Sequence, residues 1–159
     1  MNNQDAANIL NIVGEVNPEI TKLAYRRASM KFHPDRNPAG LVMMQTINAA
    51  YETLKDFFGQ CDNELTGYDD LLNDAINAII NCEGLIIEVC GNWVWLTGET
   101  LKHKNFIKEA KFKWASQKKM WYFRPEEWKS SNRQNNSMDD IRITHGSISI
   151  KTKPMQEIA

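Results

Sequence analysis

Two side chains able to move a proton, His33 and Asp35, stand two positions apart, with Pro34 between them and Arg36 and Asn37 behind. A histidine and a carboxylate at that distance could act as a general acid–base pair. The rest of the sequence gives such a pair nothing to work on. It holds no nucleophile motif, no glycine-rich phosphate loop and no second histidine at metal-ligand spacing. His103 and His145 stand alone, as ordinary surface residues. The three cysteines, Cys61, Cys82 and Cys90, include no CxxC pair. They argue for a reducing compartment and against a disulfide framework. The expectation is a protein that is not an enzyme and needs no cofactor or metal. Taken alone, the tripeptide is a helix stop with a polar tip.

The flanking residues say how that tip is held. Asn17-Pro18-Glu19 is a helix start, with a side-chain cap, proline at the first helical position and an acid in the first turn. Ile20, Ala24, Ala28 and Phe32 recur every fourth residue and make one apolar stripe. Lys22, Arg26 and Arg27 point away from it as a cationic face. Pro34 pushes His33 out of the helical region, so the helix of residues 18–32 opens into a loop there. Met44, Ile47, Tyr51, Leu54 and Phe58 form the seam of a second helix over about 41–58. A turn at Asn37-Pro38-Ala39-Gly40 folds the two back as an antiparallel pair with positions 33–37 at its tip. Asp5 caps a short helix whose Ile9, Leu10 and Val13 pack across the pair, ended by Gly14.

Residues 5 to 58 resemble a J domain, the module of the DnaJ-like co-chaperones. The resemblance is carried by NILNIV at 8–13, AYRRASMKFHPDRN at 24–37 and INAAYETL at 47–54. The sequence departs from the usual pattern in a shorter loop after Asn37 and in Asn8, where an aromatic residue is common. Lys55-Asp56-Phe57-Phe58-Gly59 also stands in place of a basic fourth helix. The resemblance implies that the loop and basic helix bind a seventy-kilodalton heat-shock chaperone in its ATP state and promote hydrolysis. Lys22, Arg26, Arg27 and Lys31 would then steer onto an acidic patch, with Tyr25 in the same binding set. Asp35 would accept a charge-assisted hydrogen bond from a partner arginine. His33 and Pro34 would fix the loop's shape, and Arg36 and Asn37 would add contacts at its edge. Without cysteine repeats, the chain resembles the members of this family that lack zinc.

The 159 residues carry a formal net charge of −1, so overall charge names no partner. Charge distribution is more telling: residues 62–99 hold acids and no Lys or Arg, whereas 102–124 hold Lys and Arg with Glu109 the one acid. Two such segments could attract one another within one domain. The N-terminus lacks a basic-then-apolar signal and no run is long enough to span a membrane. These features predict a soluble, cytoplasmic protein with no membrane partner.

The expected class is α+β, a helical-hairpin J domain at 1–60 followed by a small ββαββ-like domain. A polar linker at 59–67 marks the boundary, and an acidic helix over 69–81 completes a segment of 61–82. That helix carries Leu72, Ala75, Ile76 and Ile79 at helical spacing, and the sequence leaves open which domain it joins. Residues 83–129 form the second domain. Strands at 85–90 and 93–97 meet at Gly91-Asn92, a two-residue hairpin signal. A helix over 101–110 and strands at 112–115 and 120–124 follow, placing Trp93, Trp95 and Thr97 on one face and Trp121 and Phe123 on one face. Residues 130–159 are a polar connector and loosely ordered tail. In it, a turn of helix capped at Ser137 and a marginal strand at 147–152 are the only elements expected.

Residues 93–124 allow three readings. Trp95, Trp121 or Tyr122 could stack nucleic-acid bases while Lys113, Lys118 and Lys119 hold phosphates. Alternatively the tryptophans fill a small core and the lysines are its solvated face, or the same residues form a client-protein surface. The segment is loosely similar to tryptophan-framed stretches that follow J domains in phage and mobile-element proteins. The function expected is a co-chaperone that targets its chaperone to a client bound by the C-terminal domain. The alternatives are a nucleic-acid-binding protein whose J domain remodels a nucleoprotein complex, and a decoy that occupies the chaperone without stimulating it.

Overall fold

Asparagines open the first two helices. In the computed structural model, which describes residues 1–61, 67–124 and 137–152, α1 spans Asn3–Leu10. Asn2 caps it, its side-chain oxygen accepting the Asp5 amide at 2.8 Å. Asp5 is therefore not the cap; its carboxylate is buried for another purpose. The helix ends at Asn11, whose left-handed φ of 56° turns the chain. A short β1 (Gly14–Val16) leads to α2 (Pro18–Lys31), where Asn17 accepts the Ile20 amide at 2.9 Å as its cap. Helix α3 (Gly40–Leu54) runs back along it. Tyr25, midway along α2, donates from its hydroxyl to Asn48 at 2.8 Å and packs its ring 4.5 Å from that of Tyr51.

The hairpin interior is made by Thr21, Ala24, Ala28 and Phe32 against Val42, Met43, Ile47, Ala50 and Leu54. It differs from the expected seams at particular positions. Met43 is the buried methionine and Met44 packs at the margin, while Phe58 and Val13 are exposed. Phe58 lies beyond α3, because residues 59–61 form β2 (Gly59–Cys61) rather than linker and pair antiparallel with β1. The rest of that linker, residues 62–66, lies outside the described residues, as do the connector at 125–136 and the tail from 153.

Helix α4 (Tyr68–Ile79) buries Leu72, Ala75, Ile76 and Ile79, as its periodicity requires. It packs between α1 and α5, so it belongs to both halves. The ββαββ unit is present: β3 (Leu85–Cys90), β4 (Trp93–Gly98), a 3₁₀ turn (Thr100–His103) continuing as α5 (Lys104–Glu109), β5 (Lys113–Ala115) and β6 (Met120–Phe123). Gly91, at φ 59°, makes the tight turn between β3 and β4, and Cys90 pairs with Trp93. The C-terminal segment adds α6 (Met138–His145), capped by Ser137, and β7 (Ile148–Lys151). Strand β7 extends the sheet beside β3, giving the antiparallel order β5-β6-β4-β3-β7.

One face of this sheet (Leu85, Ile87, Val94, Leu96, Trp121, Phe123) joins the helices in a continuous core that reaches α1, α3 and α4. The other face carries Cys90, Trp95 and Met120, covered by Met138 and Ile141 of α6. Two ionic contacts hold α6 in place. Arg142 grips the buried Glu88 carboxylate through two hydrogen bonds, at 2.6 and 3.0 Å, and Ser147 donates a third at 2.7 Å. These bonds, the Arg142 ones first, hold the Glu88 carboxyl below its usual range.

His145 is not the isolated surface residue expected from sequence. Its Nδ1 lies 2.6 Å from Asp5 Oδ2, fastening α6 to α1, and Asn92 of the β3–β4 turn donates to the same carboxylate at 3.4 Å. The hydrogen bond to Asp5 raises the imidazole above its ordinary value of 6.5. A histidine shifted upward contributes stability fully below its unfolded value and loses it as pH rises through the folded one. His145→Leu should therefore lower the melting temperature at pH 6 by roughly 3 °C, or about 1 kcal/mol for a partly exposed charged pair. The difference should shrink as pH approaches 9. A melting difference independent of pH would show that the pair carries no charge.

Candidate functional site

The tip of the α2–α3 hairpin is stiff behind and bare in front. Phe32 plugs the end of α2, its amide bonded to the Ala28 carbonyl at 3.0 Å. Beyond it the chain turns on its own bonds. The Arg36 amide donates to the His33 carbonyl at 3.0 Å, and the Asp35 amide donates to His33 Nδ1 at 3.2 Å. The His33 and Asp35 side chains are 53% and 87% exposed, with 3.5 Å between ring nitrogen and carboxylate. Pro34 and Arg36 are exposed beside them. Gly40 closes the turn: a Cβ there would lie 2.4 Å from the Pro34 Cα, so the two backbones meet where no side chain fits.

Asn37 departs from the sequence expectation. It is buried rather than offered at the edge of a binding surface. Its Nδ2 donates to Asn73 Oδ1 at 2.6 Å, and Asn77 Nδ2 donates to its Oδ1 at 2.9 Å. Lys31 departs likewise. Its ammonium lies 2.6 Å from Asp70 and 3.3 Å from Asp69, both on α4. Partial burial pulls its pKa down, but the hydrogen bond to Asp70 and the charge of Asp69 more than offset this and raise it. Lys22, Arg26 and Arg27 remain as an exposed basic face. Tyr25 is chiefly a strut between the helices.

Sequence reasoning missed two members of that face. Leu23 and Met30 are 60% and 77% exposed. They lie at the three- and four-residue steps that join them to Arg26 and Arg27, so cationic and apolar groups share one side of α2. The signal was available: the apolar stripe through Ala24 and Ala28 leaves both residues on the wrong side for the core.

The second set of residues does not form the platform the sequence suggested. Trp95 is only 3% exposed, and Trp121 is buried on the opposite face of the sheet. Neither can offer a ring face to a base. Tyr122 is half-buried and packs against Trp93 and Trp95, with centroids 5.6 and 5.7 Å away. Lys118 lies over the Trp95 ring and Arg124 over that of Trp93, at 5.9 and 5.6 Å. Lys113 shares the Tyr122 face and Lys119 sits in the β5–β6 turn, both exposed.

The geometry is thus a helical hairpin that presents an outward His-Pro-Asp loop beside a basic face. Residues 6–57, a third of the chain, match the family described as DnaJ domain. The chain is 42% identical over 59 residues to the chaperone protein DnaJ of Paramagnetospirillum magneticum, covering 35% of this chain and 15% of that protein. It is 42% identical over 48 residues to the human DnaJ homolog subfamily A member 4, covering 30% and 12%. With the DnaJ-like protein MG002 of Mycoplasma genitalium it is 31% identical over 104 residues, covering 64% and 26%. The aligned stretches thus span from about an eighth to a quarter of those relatives' lengths. No solved structure matches the chain significantly. No helix among the described residues is long and apolar enough to cross a membrane.

The contact between Gly40 and Pro34 gives a direct measure of how rigid this tip is. Gly40→Ala should destabilise the fold by about 2 kcal/mol through overpacking and move the amide resonances of His33, Asp35 and Arg36. A variant with unchanged melting temperature and spectrum would show that the tip yields freely.

Proposed function

We propose that this protein is a co-chaperone that is not itself an enzyme. Its hairpin tip docks on a seventy-kilodalton heat-shock chaperone in the ATP state and stimulates hydrolysis there. Its C-terminal half selects the client to which that chaperone is brought. The observation that carries the reading is the outward pair His33 and Asp35, braced from behind and flanked by Lys22, Arg26 and Arg27. The Asp35 carboxylate is directed into solvent, ready to accept a charge-assisted hydrogen bond from a guanidinium. The basic face draws an acidic surface from a distance and sets the association rate. Leu23 and Met30 add apolar area that is buried only on docking.

A reducing compartment, consistent with cytoplasm, suits the three cysteines, which are buried. Burial first, and the nearby Glu88 second, push the Cys90 thiol up to about 12, so it is a poor nucleophile. A client-protein role for the C-terminal half is favoured over nucleic acid because two of the three candidate stacking rings are inside.

Asp35→Asn and His33→Gln should abolish stimulation of a chaperone ATPase while leaving the helical circular dichroism unchanged. Loss of one member of a desolvated charge pair costs about 2–5 kcal/mol of binding. Lys22→Ala and Arg26→Ala should raise the half-maximal concentration, with the effect fading at high salt. Leu23→Ser with Met30→Ser should raise it at every salt concentration. Wild-type stimulation by Asp35→Asn would sink the proposal, and occupancy without stimulation by the unaltered protein would make it a decoy.

A further inference from the structure

The DnaJ-domain match ends at residue 57, yet the loop it contains is bonded to residues well beyond that point. Ala39 precedes α3 and its side chain caps nothing, so the first amides of that helix need acceptors from elsewhere. The Ala39 amide itself finds Asn77 Oδ1 of α4 at 2.9 Å. That bond fixes which way the Asn77 amide points. Its Nδ2 must then donate, and it meets Asn37 Oδ1 at 2.9 Å. Asn37 in turn has only Nδ2 left to give, and it meets Asn73 Oδ1 at 2.6 Å. The three amides form one chain with a single consistent polarity. Asn73 and Asn77 lie one turn apart on α4, on a side shared with Asp69 and Asp70, which hold Lys31. Helix α4 thus grips the chain on both sides of His33-Pro34-Asp35, at Lys31 before it and at Asn37 and Ala39 after it. Its own apolar residues Leu72, Ile76 and Ile79 are locked in the core shared with the sheet.

We propose that Asn73 and Asn77 are positioning residues for the His33-Pro34-Asp35 loop, so that the loop is held in its docking shape by a helix outside the DnaJ domain. The functional consequence rests on the co-chaperone reading above; the clamp itself does not. Neither residue touches the partner. They act by keeping the loop in one conformation, which lowers the ordering needed on docking.

The test uses the full chain, with two readouts on each variant: hydrogen exchange at the amides of residues 35–37, 39 and 40, and stimulation of chaperone ATP hydrolysis across a concentration series. Asn77→Leu removes both bonds and Asn77→Asp removes the donated one. Asn73→Asp keeps the acceptor that Asn37 needs. Two net hydrogen bonds correspond to about tenfold or more in local opening. Asn77→Leu should therefore raise exchange at Arg36, Ala39 and Gly40 by at least that factor, with helix amides of α2 unchanged. Maximal stimulation should fall more than apparent affinity, because the basic face is untouched. Asn77→Asp should follow it in part, and Asn73→Asp should stay near the unaltered protein. Unchanged loop exchange in Asn77→Leu would overturn the clamp, and so would an exchange increase spread evenly over the whole fold. Loosened loop amides with full stimulation would overturn the positioning role. If the unaltered protein stimulates no chaperone, the co-chaperone reading falls while the exchange measurement still decides the clamp.

Discussion

The backbone contact of Gly40 with Pro34 is the constraint on which the hairpin tip depends. A proline ends α2 and a glycine begins α3, and the chain between them must reverse within a few residues. Close approach of the two backbones lets Phe32 and Asn37 go inward on either side of the loop. What remains between them has nowhere to go but out. The exposure of His33 and Asp35 is thus a packing result, not a matter of their own polarity. A carboxylate presented this way keeps its hydration until a partner replaces it. The replacement is favourable only if little else must be ordered at the same moment.

Rigidity at the tip needs mass behind it, and the helical hairpin alone has little. The chain meets this by sharing a core between its two halves. α1 packs under α3 and α4, α4 reaches α5, and β7 lies against α3 at the edge of the sheet. Asp5 sits at the junction, with His145 from α6 and Asn92 from the β3–β4 turn on its carboxylate. Gly91 approaches so closely that a Cβ would lie 2.6 Å from the same carboxylate. A buried carboxylate with one partner missing is costly, so this contact specifies how the sheet sits on α1 as much as it stabilises it.

Local signals were legible in the sequence, and signals completed by distant residues were not. Asn17-Pro18, Gly91-Asn92 and Ser137 each declare a cap or turn through their immediate neighbours, and each is found in place. The strand at 147–152 read as marginal because its alternation is short. Its partner β3 and the Thr152 hydroxyl, which accepts the Leu85 amide at 2.8 Å, make it secure. Asn37, Lys31, Asp5 and His145 were misjudged for one reason: each polar group is satisfied by a residue at least 36 positions away. Met43 and Met44 show the limit of periodicity, since adjacent residues differ by a 100° turn and both fit a seam within that tolerance. Trp95 and Trp121 were correctly assigned to strands, but both sheet faces are covered, Trp121 by the helical core and Trp95 by α6, a helix the sequence expressed as a single turn.

Charge shows the same division between pattern and placement. The acidic stretch from 62 to 99 and the basic stretch from 102 to 124 suggested mutual attraction. The segments do meet, β4 pairing with β6, but among the described residues the ion pair between them is Glu99 with Lys102 at 3.7 Å, three positions apart and exposed. The acids with close partners look elsewhere: Asp69 and Asp70 to Lys31 of α2, Glu88 to Arg142 of α6. Segment-level charge therefore indicated neighbours but not ion pairs, because a helix face and a sheet face select individual side chains from a run and leave the others in water. The acids chosen in this way do not cancel the cationic flank, for Lys22, Arg26 and Arg27 lie earlier on α2 than the residue α4 neutralises. α4 can therefore brace the tip with charge while the basic face remains free to meet an acidic surface.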